Sequence, residues 1–184
     1  VMSQGEIVQD IQFNYRHDFA VWAGARASQR GFTTVKLLRD AIEHSKIKEF
    51  SRNPEIVTTR EEFDELHLDW CEDICEFLES QDVKGVTFGR AAKLVAVYLK
   101  AMVVIPQTCS IQAEFIHPPI DRILLRNLSK IDSIPAEHKR IYRDANWTNF
   151  SRESYLTVLD AIRIFLDGKP LWQIEEYWSV TAEK

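Results

Sequence analysis

The chain has 184 residues, a formal net charge of −5, 45% apolar residues and 28% charged ones. That is enough to bury one good core, and it excludes a low-complexity or loop-rich chain. The negative sum speaks against wholesale coating of nucleic acid.

In chain order the pattern is helical nearly throughout. A helix is expected over Asp18–Arg30, carrying Phe19, Val21, Trp22 and Ala25 and ended by Gly31, while residues 1–15 are expected to be poorly ordered or peripheral. Thr34 caps a second helix with Val35, Leu38 and Ile42, and Asn53-Pro54 closes it. Thr58 with Glu61, or Thr59 with Glu62, makes a capping box before a stripe of Phe63, Leu66, Trp70, Ile74 and Phe77. Gly85 breaks the chain again. Thr87 to Ile105 is apolar on most of its surface, which marks it as central, and Pro106 stops it. Residues 107–116 give no clear pattern.

Pro118 and Pro119 are expected to start a helix running over Ile120–Leu128, with Asp121 in its first turn. A short helix near Pro135–Arg143 follows. Ser151 caps a strong helix with Tyr155, Val158, Leu159, Ile162 and Phe165, ended by Gly168, and Pro170 begins a last one. There is no alternating strand pattern. The expected fold is all-α, a single domain (1–184) of about seven or eight helices around the apolar helix 87–105.

Polar chemistry is concentrated in two helix starts. One is Gly89-Arg90-Ala91-Ala92-Lys93. The other is His117-Pro-Pro-Ile-Asp121. A glycine at a helix start lets backbone amides approach a phosphate, and Arg90 and Lys93 add charge there. The arrangement resembles the helix-hairpin-helix DNA glycosylases. The resemblance implies Gly89, Arg90 and Lys93 as nucleic-acid contacts, Lys93 as a Schiff-base nucleophile and Asp121 as the catalytic acid. His117 stands beside them as a third candidate. A flipped base would need an aromatic pocket, for which Trp147, Tyr155 and Trp178 are the candidates. Phe88 to Lys93, His117-x-Pro-Ile-Asp121, Trp147-Thr148 and Leu171-Trp172-x-Ile-Glu175 with Trp178 also resemble a set of small uncharacterised helical bacterial proteins, which carries no activity. The purely structural role of Asp121 is an acidic partner for a helix dipole, worth ~0.3–1 kcal/mol.

His67, Cys71 and Cys75 fall on one helical stripe, a spacing that can bind zinc. Core packing is the expected role, and no metal or cofactor is expected. Three cysteines without framework spacing, and no apolar run of about 20 residues, point to a reduced cytoplasmic protein that does not enter a membrane. Charge is segregated. Arg60 to Asp82 holds ten acidic residues and one basic, whereas Lys84 to Arg143 holds ten basic and four acidic. Two functions fit. One is a nucleic-acid-directed protein, with DNA as partner. The alternative is a non-enzymatic protein–protein interaction module or homo-oligomer, using the acidic face and exposed aromatics.

Overall fold

The computed structural model describes residues 1–179, which form an all-α fold with no strand among them. Helix α1 (Gln4–Ser28) opens on a capping box in which Ser3 accepts from the Glu6 amide and Glu6 answers to Ser3. It begins 14 residues before the predicted start, about four turns, so residues 4–15 are helical rather than poorly ordered. Its first half has no fully buried residue and only Phe13 packs partly against the core, so hydrophobic periodicity toward a core is weak there. Phe19 and Trp22 lie outside, while Ala20, Val21, Gly24 and Ala25 face the core.

Thr34 caps α2 (Val35–His44) as expected. Lys46, at φ 61, turns the chain into α3 (Ile47–Arg52), a short helix the sequence does not advertise because a lysine stands where a glycine would signal the turn. The capping box of α4 (Arg60–Ser80) is the Thr59–Glu62 pair, and Thr58 also donates to Glu62. Thr87 caps α5 (Phe88–Leu99), which continues as a π-helical stretch over Lys100–Val104. This is the central helix: it touches α1, α4 and α9, and eight of its residues are buried. Gly24 permits the α1–α5 crossing, because a side chain there would sit 3.2 Å from Leu94 Cδ1 and 3.3 Å from the Leu94 carbonyl.

Residues 107–116 contain α6 (Ile111–Phe115), capped by Ser110. The prolines do not start the next helix. Ile116 to Ile120 is a non-helical linker, and α7 is Arg122–Leu128, with Asp121 as its N-cap rather than a first-turn residue. Then come α8 (Ala136–Asp144) and a single 3₁₀ turn, Trp147–Asn149. Helix α9 (Arg152–Leu166) is capped by Ser151 and ends through left-handed Asp167 and Gly168. Leu171–Tyr177 is 3₁₀ rather than α, and it folds back over α7 and α9. No described helix is long and apolar enough to cross a membrane.

Candidate nucleic-acid interface

Asp121 ties three parts of the chain together. Its Oδ1 accepts from the amides of Ile123 and Leu124, both at 3.0 Å. Its Oδ2 accepts from the Trp178 indole at 2.9 Å and lies 3.8 Å from the Lys93 ammonium. Lys93 in turn stands 4.3 Å from the centre of the Trp147 ring. Two of the predicted residues thus meet, and two of the predicted aromatics flank them. The Lys93 and Asp121 side chains are only 12% and 14% exposed. Burial lowers the ammonium's affinity for its proton, and the Asp121 carboxylate opposes that shift. The ammonium's surroundings are a carboxylate and an aromatic face, and it lines none of the principal cavities.

A concavity of about 610 Å³, with Trp147 in its lining, opens between α7, α8 and the 3₁₀ turn. Arg122, Arg126 and Arg143 line it together with Tyr142, Trp147 and Thr148, and no carboxylate lines it. Arg143 leans on Asp144 at 3.5 Å; Arg122 and Arg126 form no ion pair among the described residues. Tyr142 is 1% exposed, and its hydroxyl has no hydrogen-bond partner. Burial pushes that hydroxyl up to about 12, so it stays a neutral donor at ordinary pH. A buried hydroxyl normally finds a partner, and leaving one unpaired costs about 1–3 kcal/mol.

Other predicted residues go elsewhere. Gly89 is not open to phosphate. Its amide donates to the Phe150 carbonyl at 3.1 Å, and a Cβ there would collide with the Trp147 carbonyl oxygen and approach Phe150 Cβ to 2.8 Å. The glycine is needed so that the Trp147–Phe150 turn can lie directly on α5. Arg90 lays its guanidinium over Phe32, 4.4 Å from the ring centre, and does not line the concavity.

His117 does not join Lys93 and Asp121. Its Nε2 is 2.7 Å from Asp64, its Nδ1 is 3.0 Å from the Tyr155 hydroxyl, and Arg163 grips both Asp64 oxygens at 2.8 and 2.9 Å. Tyr155, predicted beside Trp147 and Trp178, belongs to this buried cluster and lines no part of the arginine concavity. Burial alone would raise the Asp64 carboxyl, but His117 and Arg163 outweigh it and hold it below its usual value. Burial lowers His117, partly offset by Asp64, and lowers His67 further. The His67 and His117 rings are 4.0 Å apart, and they line a cavity of about 240 Å³.

Cys71 is buried 3.7 Å from His67 Nε2, and burial raises its thiol well above the usual value. Cys75 is pushed up to about 12, mainly by burial and then by neighbouring glutamates. Neither is a thiolate at neutral pH, which disfavours nucleophilic chemistry. Among the described residues no group of three or more His, Cys, Asp or Glu side chains is placed to hold a metal ion.

Arg122, Arg126, Arg143 and Tyr142 were not singled out by the sequence. The available signal was the i, i+4 pair Arg122–Arg126 inside the basic stretch, directly after the Asp121 cap. Comparison with known proteins adds no relative: no family model, no curated protein and no solved structure matches the chain.

Proposed function

We propose that the protein is nucleic-acid-directed and binds a single-stranded phosphodiester segment in the arginine-lined concavity, without base-excision chemistry. The observation that carries this is the convergence of Arg122, Arg126 and Arg143 on one hollow lined by no carboxylate, with Trp147 on its wall. Guanidinium groups recognise phosphate oxygens by forked hydrogen bonds, and an indole face takes a stacked base of any sequence. A hollow of about 610 Å³ has the capacity of a nucleotide-sized site. Lys93 and Asp121 support this wall: the ammonium holds Trp147 and the carboxylate caps α7, which carries Arg122 and Arg126.

Fluorescence anisotropy with a labelled single-stranded oligonucleotide tests the reading. Three neutralised phosphates give a slope of log affinity on log salt of about −2. Arg122→Ala with Arg126→Ala is expected to weaken binding by roughly tenfold or more and to flatten that slope. Absence of binding at low salt, or affinity and slope unchanged in the double variant, overturns the proposal. Borohydride treatment with an abasic-site oligonucleotide is expected to trap no covalent adduct, because the Lys93 amine is enclosed.

A specific surface also favours the interaction-module reading, through aromatics other than those near the C-terminus. Trp172, Tyr177 and Trp178 are half-buried, whereas the exposed aromatics lie on α1.

A further inference from the structure

Helix α1 carries an apolar stripe on its solvent side, where the Phe19 and Trp22 rings stand 6.0 Å apart. Val8, Ile11, Tyr15, Phe19 and Trp22 are 49%, 47%, 73%, 58% and 54% exposed, and Ile7 flanks them at 46%. At 100° per residue the five fall within one narrow sector of the helix, turned away from the buried set His17, Val21, Gly24 and Ser28. The six side chains leave on the order of 700 Å² of apolar surface in water, above the ~300–600 Å² of the largest patch on a typical monomer.

The stripe is symmetric about Tyr15. Its steps are three, four, four and three residues, so Ile11 and Phe19 are equidistant from Tyr15, as are Val8 and Trp22. The sizes are not symmetric: the first half is aliphatic and the second aromatic. We infer that α1 is the interface of a homodimer in which two copies pair antiparallel about a two-fold axis at Tyr15. That axis sets Val8 of each copy against Trp22 of the other, and Ile11 against Phe19. Small faces large at every step off the axis, as interdigitating helices require. A parallel pair would set Trp22 on Trp22 and Val8 on Val8, crowding one end and leaving a gap at the other.

Two further features fit a second copy. Antiparallel pairing also opposes the two helix dipoles, which is favourable. The area also suffices. Two stripes remove about 1,400 Å² together, inside the range of ~1,200–2,000 Å² for specific interfaces, and a two-fold contact is the commonest closed assembly. This inference stands apart from the arginine concavity, which is built from α7, α8 and the Trp147 turn.

Light scattering on the full chain is expected to give a dimer at micromolar concentration. Tyr15→Glu places two like charges at the axis and is expected to raise the dimer dissociation constant by at least ~100-fold, with circular dichroism unchanged. Orientation is read by cross-linking in a Cys109→Ser background, since Cys109 is exposed. An equimolar mixture of Ile11→Cys and Phe19→Cys chains is expected to form the mixed disulfide, and Ile11→Cys alone to form none. A wild-type monomer, including one captured by lipid vesicles, overturns the inference. So does a dimer that survives Tyr15→Glu, or an Ile11→Cys chain that links to itself.

Discussion

His117 and Asp121 are four residues apart, yet they serve two regions of opposite character. A four-residue extended linker spans about 13 Å, enough to carry them to different neighbours. Asp121 looks toward α5 and the C-terminal turn, where its partners are the Lys93 ammonium, the Trp178 indole and two amides at the edge of a basic hollow. His117 looks inward at Asp64, Tyr155 and His67, and its ring is 2% exposed. One region presents charge to solvent; the other consumes it. Under the proposed function, recognition falls to the first and fold stability to the second.

A second relay elsewhere supports that assignment. His17 places Nδ1 2.9 Å from the Tyr98 hydroxyl and Nε2 2.5 Å from Glu43, the same atoms in the same order as Tyr155–His117–Asp64. There the relay staples α1, α2 and α5 together. The recurrence shows that this chain uses carboxylate–histidine–tyrosine chains to satisfy buried imidazoles. A second instance of the pattern therefore carries no catalytic implication by itself. What distinguishes the Asp64 relay is Arg163, which closes the carboxylate on its far side, whereas the Glu43 side chain remains 48% exposed.

The largest expected effect breaks the inward region. Asp64→Ala leaves Arg163, whose side chain is 17% exposed, with only the looser Asp160 contact at 3.7 Å, and deprives His117 of its Nε2 partner. The expected loss is about 3 kcal/mol in urea denaturation. Glu43→Ala, the same deletion in the exposed twin, is expected to cost only about 1 kcal/mol. Equal costs would remove the distinction between the two relays.

At the outward region, Asp121→Ala removes an N-cap and the acceptor for Trp178, with an expected loss of about 2 kcal/mol. Asp121→Asn keeps a capping oxygen and is expected to recover more than half of that. Oligonucleotide affinity of the Asn variant is expected to stay within about threefold of wild type, because in the proposed site the arginines, not the carboxylate, contact phosphate. A loss on the scale of the Arg122/Arg126 variant would place Asp121 among the ligand contacts.

Much of this architecture is legible in the chain because local rules and packing agree. Thr34, Thr59, Thr87 and Ser151 each cap the helix that their spacing predicts. The apolar run from Thr87 is central because no polar face exists to turn outward. Legibility fails where local and tertiary demands part. The first half of α1 is helical by capping and propensity with no fully buried residue, so core periodicity misses it, and its stripe reads as core when it is surface. The double proline reads as a helix start, but Asp121 outcompetes it by capping two amides at once. Lys93 meets Trp147 because Gly89 lets the Trp147 turn sit on α5, a close approach that spacing in the sequence does not encode. The arginine hollow is assembled from α7 and α8 across a connection, so neither helix alone signals it.

Acid pH offers the finest probe of the contrast, because only the inward region holds histidines neutral. Burial depresses both His67 and His117 below the ordinary value of 6.5, and His67 the more strongly. In the unfolded chain each takes up a proton as pH falls through 6.5, while the folded chain resists until its lower value is reached. The unfolded state therefore binds more protons in that window, and stability declines on acidification. Above 6.5 the contribution is fully present; it is lost progressively below, down to the folded values. Asp64, held below its ordinary 3.8, adds a second loss only at still lower pH. For each histidine held neutral, the unfolded chain's protonation sets a ceiling of about 1 kcal/mol between about pH 7 and about pH 5.5. His67→Phe keeps a ring against Phe63, Phe88 and Tyr155 and removes one such group, so it is expected to flatten the decline in that window. Asp121→Asn is expected to leave the decline unchanged. Urea midpoints at several pH values decide it: a slope that follows Asp121 rather than His67 would mean that the two regions titrate as one.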